Sequence, residues 1–239
     1  MTGPDIAPGT ELVALRQDTA ALGLDLPESA LALLVRYLAL LRKWNAAYNL
    51  TALRDPAQMR VQHMADCLAV IAPLRRTLGG GSPGTTPGEA GCATREQEEP
   101  APRILDVGSG GGLPGAVLAV AEPQWDVSCV DTVGKKAAFI RQVAGELALP
   151  NLHALHARVE TLLGPSFDLI TARAFASLPD FVRLTRPLLA PGGVWMAMKG
   201  RRPEDELTAL PADIDVFHVE PLAVPGLDAE RCLIWMRPR

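Results

Sequence analysis

Aromatic side chains are scarce in this sequence, at 5% of residues, and only four cysteines occur in 239 positions. Cys67, Cys92, Cys129 and Cys232 form no CxxC pair and have no histidine at ligand spacing. A zinc site and a disulfide framework are therefore not encoded in the usual way, and Cys129, inside an apolar run, reads as a buried thiol. No stretch reaches the ~18 uncharged apolar residues that span a membrane. Met1-Thr2-Gly3-Pro4-Asp5 lacks the basic-then-apolar pattern of a secretion signal. These absences lead to the expectation of a cytoplasmic protein without membrane or metal. Basic charge is not in excess either: the formal net charge is −4. That excludes binding nucleic acid by bulk charge, though not by a local patch.

What the chain has in quantity is apolar material, 48% of residues, together with 21 glycines and 21 prolines. The first is enough for a core and rules out wholesale disorder. Glycine and proline carry no three-residue period, which excludes collagen. In residues 79–102 they account for 10 of 24 positions, with no Leu, Ile, Val, Met or aromatic residue. Such a stretch buries too little to offset its ordering entropy, so a flexible insertion is expected there.

The insertion divides two patterns. Residues 1–78 read as a helical extension: Leu31, Leu34, Val35, Leu38 and Leu41 recur at spacings of three and four. Met59, His63, Cys67 and Val70 predict a second, continuous helix after Asp55-Pro56. Residues 103–239 alternate short apolar runs with helical stretches, beginning with 104–107, 127–130, 152–155, 167–170 and 194–198. This predicts an α/β fold with a mostly parallel sheet covered on both faces. The last two runs, 216–219 and 233–236, are joined too briefly for a crossover and are expected to pair antiparallel.

The most informative segment is Asp106-Val107-Gly108-Ser109-Gly110-Gly111-Gly112-Leu113-Pro114-Gly115. A strand running into glycines and then a helix start suits close backbone approach to a ligand. Asp131, ending the next strand 25 residues after Asp106, is placed to accept both hydroxyls of a ribose. The dinucleotide pattern GxGxxG can only be forced onto Gly110, Gly112 and Gly115, late in the loop, whereas DxGxGxG fits from Asp106 without shifting. The latter resembles the first motif of class I S-adenosylmethionine-dependent methyltransferases. A tight turn is the plain alternative.

Further motifs occur in order: Lys43-Trp44-Asn45 through Asn49-Leu50-Thr51, Arg54-Asp55-Pro56, His63-Met64-Ala65-Asp66, Asp131 to Lys136, Arg158-Val159-Glu160, Arg173-Ala174-Phe175-Ala176 and Lys199-Gly200. In this combination the chain resembles the bacterial 16S rRNA 7-methylguanosine methyltransferase family, also called glucose-inhibited division protein B. The resemblance runs from about Leu12 to Met236 and departs at the insertion. It implies a Rossmann-like class I methyltransferase with a seven-stranded sheet, S-adenosylmethionine as cofactor and 16S rRNA or the small ribosomal subunit as partner, acting as a monomer. Carried over by position, cofactor contacts fall at Gly108, Leu113, Val159, Glu160 and Arg173; the residues themselves add Asp106, Gly110 and Asp131. A guanidinium at Arg173 suits the methionine carboxylate or a substrate phosphate, and a surface ion pair is its plain alternative.

Guanine N7 is a lone-pair nucleophile with no proton to remove, so alignment is the requirement and a general base is not. His63 and Asp66, three residues apart, are the acid–base candidates and are expected to orient instead. By region the charge is +1, −3 and −2 over 1–78, 79–102 and 103–239, so RNA contact must be local. Lys199, Arg201 and Arg202 are the first choice for phosphates. Trp44 and Tyr48, four apart, suit either base stacking or packing of the extension. A nicotinamide-dependent oxidoreductase and a non-catalytic RNA chaperone remain as alternatives.

Overall fold

A computed structural model describes residues 8–79, 100–164 and 166–239. Most of the expected insertion, and Cys92, lie outside the described residues. The chain opens with helices α1 (Pro8–Ala21) and α2 (Glu28–Tyr48), the latter burying Leu31, Leu34, Val35, Leu38 and Leu41 as the spacing predicts. α3 (Pro56–Met59) starts where Asp55 caps it, its carboxylate accepting from the Gln58 N–H at 2.8 Å. The continuous helix expected next does not form. A π-helical turn, Arg60–Ala65, intervenes before α4 (Asp66–Leu68) and α5 (Ile71–Leu78). Met59, His63, Cys67 and Val70 are all buried, so the spacing found the face and not the widened turn. Turns of this kind cluster at functional sites.

The sheet is β1 (Arg103–Val107), β2 (Asp126–Asp131), β3 (Leu152–His156), β4 (Phe167–Arg173), β5 (Leu189–Lys199), β6 (Ile214–Pro221) and β7 (Cys232–Pro238). Its order is β3-β2-β1-β4-β5-β7-β6. The pairings among β1–β5 are parallel, and β7 lies antiparallel to both β5 and β6, as expected from the short connection. α6 (Gly115–Ala121), α7 (Gly134–Glu146), α8 (Leu178–Thr185) and α9 (Glu204–Thr208) complete the elements named here.

Because neighbouring strand residues point to opposite faces, the alternation sorts them into two cores. Ile104, Val127, Cys129, Leu169 and Met196 pack with α2, α6 and α7. Leu105, Val130, Ile170, Trp195 and Ala197 pack with Leu178, Phe181 and Val182 of α8. The helical extension thus shares the first core with the sheet. Strand order reverses between β1 and β4, and at such a switch point the strand ends part to leave a crevice.

Candidate active site

The crevice is built on the loop after β1. Gly108 takes φ +66°, and a Cβ there would meet the Phe175 ring at 2.6 Å, so a side chain is excluded twice over. Gly115, at the start of α6, is as confined: a Cβ would lie 2.3 Å from Cys129 Sγ. Two carboxylates fix the loop. Asp106 Oδ2 accepts from the Gly115 N–H at 2.9 Å, and Asp131 accepts from Gly110 at 3.0 Å and from Val133 at 2.8 Å. Asp106 is fully buried, and burial, partly opposed by the Gly115 bond, pushes its carboxyl up to about 7. It lines neither cavity described below and acts from beneath the loop. Asp106 Oδ1, Ser109 Oγ and Thr171 Oγ1 are buried without a partner in the protein. Asp106 and Thr171 are register partners on adjacent strands, so polar capacity gathers under the loop.

Two cavities meet at Gly108 and Ala174. The smaller, about 230 Å³, is walled by Val130, Val133, Val159 and Phe175, with Asp131 and Lys136 at one side. An apolar slot beside a carboxylate suits a nucleoside: base between the hydrophobic walls, ribose hydroxyls on the acid. Val159 is buried there; Glu160 is exposed and paired with Arg158 at 2.9 Å. The larger cavity, about 500 Å³, is lined by Gly108–Gly111, Leu113 and residues of both the extension and the sheet edge. Its polar wall is one connected network. Arg173 Nη1 donates to the Gln62 carbonyl at 3.0 Å and to Asp66 Oδ2 at 3.2 Å. Asp66 Oδ1 accepts from Arg231 Nε at 2.9 Å. Arg173 Nη2 stands 3.4 Å from His63 Nδ1, and His63 Nε2 shares a hydrogen bond with Thr51 Oγ1 at 2.8 Å.

The two acid–base candidates both lie in this network. Burial first, then the Arg173 cation, lowers the His63 imidazole to about 4, leaving it neutral at pH 7. Asp66, with its side chain 3% exposed, is committed to two guanidinium groups. Both contact Arg173, Asp66 Oδ2 at 3.2 Å and His63 Nδ1 at 3.4 Å. Arg173 sits at the end of β4, and the π-helical turn presents the Gln62 carbonyl to it.

The expected phosphate patch needs correction in its charge. Lys199 Nζ lies 2.8 Å from Glu206 and Arg202 Nε 2.7 Å from Glu204, because the acidic first turn of α9 folds back on them. Lys199 still lines the larger cavity, and Arg201 is exposed. Arg231 and Gln62 were not singled out from the sequence, and Thr51 was part of a motif but was given no role. Arg231 had one available signal: the residue preceding an antiparallel strand lies at the edge where the parallel strands end. Among the described residues no helix is long and apolar enough to cross a membrane, and no group of three or more His, Cys, Asp or Glu could hold a metal ion.

Comparison with known proteins shows the family. A family model described as GidB, rRNA small subunit methyltransferase G, matches residues 30–84 and 91–234. The chain belongs to that family. The match breaks only at 85–90, inside the expected insertion. Ribosomal RNA small subunit methyltransferase G of Acidovorax sp. (strain JS42) is 57% identical over 228 residues, covering 94% of each chain. The Leptothrix cholodnii protein of the same name is 60% identical over 220 residues, 92% of each. Among solved structures, TrmN from Thermus thermophilus aligns with TM-score 0.49 at 24% identity, over 59% of this chain and 45% of that one. As a member of the small subunit methyltransferase G family, the protein is a methyltransferase with the Rossmann-like sheet and helical extension described above.

Proposed function

We propose that the protein transfers a methyl group from S-adenosylmethionine to N7 of a guanine in 16S rRNA of the small ribosomal subunit, as a cytoplasmic monomer and without a metal. The observation that carries this reading is the pair of cavities joined at Gly108, one shaped for a nucleoside and the other walled by Arg173, Asp66 and Arg231.

The residues present fit the cofactor. Asp131, now bonded to Gly110 and Val133, offers its carboxylate to the ribose hydroxyls. Val159 would pack on adenine, and Glu160, released from Arg158, would accept from its edge. Gly108 and Gly110 would let the backbone approach closely, Leu113 would pack on an apolar part of the cofactor, and Arg173 would hold the methionine carboxylate. When bound, the cofactor supplies an electrophilic methyl on a positive sulfur. Guanine N7 attacks with its own lone pair, so no proton has to leave. The chain's task is then to set donor and acceptor in line and to exclude water. Arg173, held on two sides by Gln62 and Asp66, is built for such fixed alignment. Arg201, exposed and without an ion pair among the described residues, faces incoming RNA as a phosphate donor, with Lys199, Arg202 and Arg231 contributing less because each is matched by a carboxylate.

Incubation with methyl-labelled S-adenosylmethionine and undermethylated small subunits tests the proposal. Label recovered as 7-methylguanosine supports it. Cofactor binding without transfer points to an RNA chaperone, and calorimetric binding of NAD in place of S-adenosylmethionine to an oxidoreductase.

A further inference from the structure

Tyr48 is the one aromatic residue that is exposed among the described residues, at 46%. Its ring rests on Trp44, with centroids 5.0 Å apart, and Trp44 in turn packs on Phe139 of α7 at 5.5 Å. The packing role weighed for these aromatics therefore belongs to Trp44, which leaves the outer ring ordered but uncovered. An exposed ring resting on a neighbour in this way still offers a face to a stacking partner.

Its position relative to the cavity is set by helix direction. Arg36, early in α2, reaches the Glu146 carbonyl at the end of α7, while Trp44, late in α2, meets Phe139 nearer the start of α7. The helices run antiparallel, so Tyr48 lies beside the first turn of α7. Lys135 is in that turn, one helical turn before Phe139 on the same face. Leu50 and Thr51, two and three residues beyond Tyr48, line the larger cavity. Asn49, at φ 52°, turns the chain between them.

The surroundings are cationic. Lys43 and Lys135 are exposed and make no ion pair among the described residues. Arg54 is exposed and donates to the Asn45 carbonyl at 3.1 Å and to the Asn49 side chain, neither of them charged. This contrasts with Lys199 and Arg202, each matched by a glutamate. An exposed ring two residues before the wall of the larger cavity, with Arg54 held against the neighbouring Asn49 and with Lys135 and Lys43 on the adjoining helix surfaces, has the chemistry of a single-stranded nucleic-acid platform.

We propose that Tyr48 stacks a base of the single-stranded rRNA flanking the target guanine, with Lys43, Lys135 and Arg54 taking the adjoining phosphates. The inference deepens the proposed function by naming where its RNA lies outside the cavity. Base stacking of this kind is worth about five- to 150-fold in affinity.

The test is equilibrium binding of undermethylated small subunits by the full chain, alongside calorimetry with S-adenosylmethionine. Tyr48→Leu keeps apolar cover on Trp44 and removes the π-face; it is expected to weaken subunit binding about tenfold, with cofactor affinity and melting temperature unchanged. Tyr48→Phe restores wild-type binding. Lys43→Ala with Lys135→Ala lowers the slope of log affinity against log salt by about 0.7 per lysine. Leucine binding as well as tyrosine overturns the surface, even with methyl transfer intact. Failure of the wild type to bind subunits overturns it too. A wild type that binds subunits, with the Tyr48→Leu loss, but transfers no methyl contradicts the proposed function and leaves the surface standing.

Discussion

The Asp66 carboxylate and the Arg173 guanidinium meet at 3.2 Å across the seam between the helical extension and the sheet. The acid comes from α4 and the cation from the end of β4, so one contact ties the extension to the strand edge where the ligand cavities lie. Removing one partner of a buried pair leaves an uncompensated charge, which costs far more than the pair itself contributes. Asp66→Ala is expected to lower unfolding free energy by about 3 kcal/mol and to abolish methyl transfer, since Arg231 loses its anchor as well. Denaturant unfolding with a parallel activity assay reads both. A loss of activity without any change in stability would mean that Asp66 is not structural.

Arg173→Lys separates charge from geometry. Lysine keeps the cation near Asp66 but cannot reach Gln62, Asp66 and a ligand carboxylate together with a rigid fork. Cofactor affinity, measured by calorimetry, is expected to fall about tenfold or more, with a smaller stability loss than Asp66→Ala because a cation still faces the buried carboxylate. Unchanged affinity would assign Arg173 to structure alone.

Asp106 and His63 titrate with opposite consequences. Burial raises Asp106 to about 7, so its contribution to stability is present below pH 4 and is lost as pH climbs towards 7. Burial and Arg173 lower His63 to about 4, so its contribution is present above pH 6.5 and is lost as pH falls towards 4. Between those limits the two slopes, each about 1.4 kcal/mol per pH unit, oppose one another. Asp106→Asn, which still accepts from Gly115, is expected to lose stability as pH falls from 6.5 to 5. His63→Gln is expected to lose stability as pH rises over the same interval. Urea midpoints across the window decide; two variants with parallel profiles would contradict the assignment.

Gly115→Ala places a Cβ 2.3 Å from Cys129 Sγ and 3.0 Å from Asp106 Oδ2. Overpacking at this junction of loop and α6 is expected to cost about 3 kcal/mol. Adding Cys129→Ala removes the nearer atom and should restore part of that loss. A double-mutant cycle in thermal melts measures it, and strict additivity would rule out the clash.

The loop, its flanking acids and the strand alternation were legible in the sequence because each has a local signal: glycines after an apolar run, an acid at a strand end, a period of two. Even the antiparallel final pair was legible, from a connection too short for a crossover. Three things were not. The π-helical turn at Arg60–Ala65 buries the same residues an α-helix would, so spacing cannot tell them apart. Arg231 reaches Asp66 only through the pairing of β7 with β5, a contact 165 residues apart. Lys199 looked available until α9 brought Glu206 against it. In each case the deciding interaction is long-range or depends on how a turn closes, which local patterns do not carry.

The central claim is that this site aligns its reactants and moves no proton. Single-turnover methyl transfer to undermethylated small subunits, followed as 7-methylguanosine from pH 7.5 to 8.5, tests it most directly. In that interval Asp106 is mostly ionised and His63 neutral. The account predicts that all label appears at guanine N7, at a rate that does not change with pH. Label at any other position, or a rate rising about tenfold per pH unit as a base is uncovered, would contradict it.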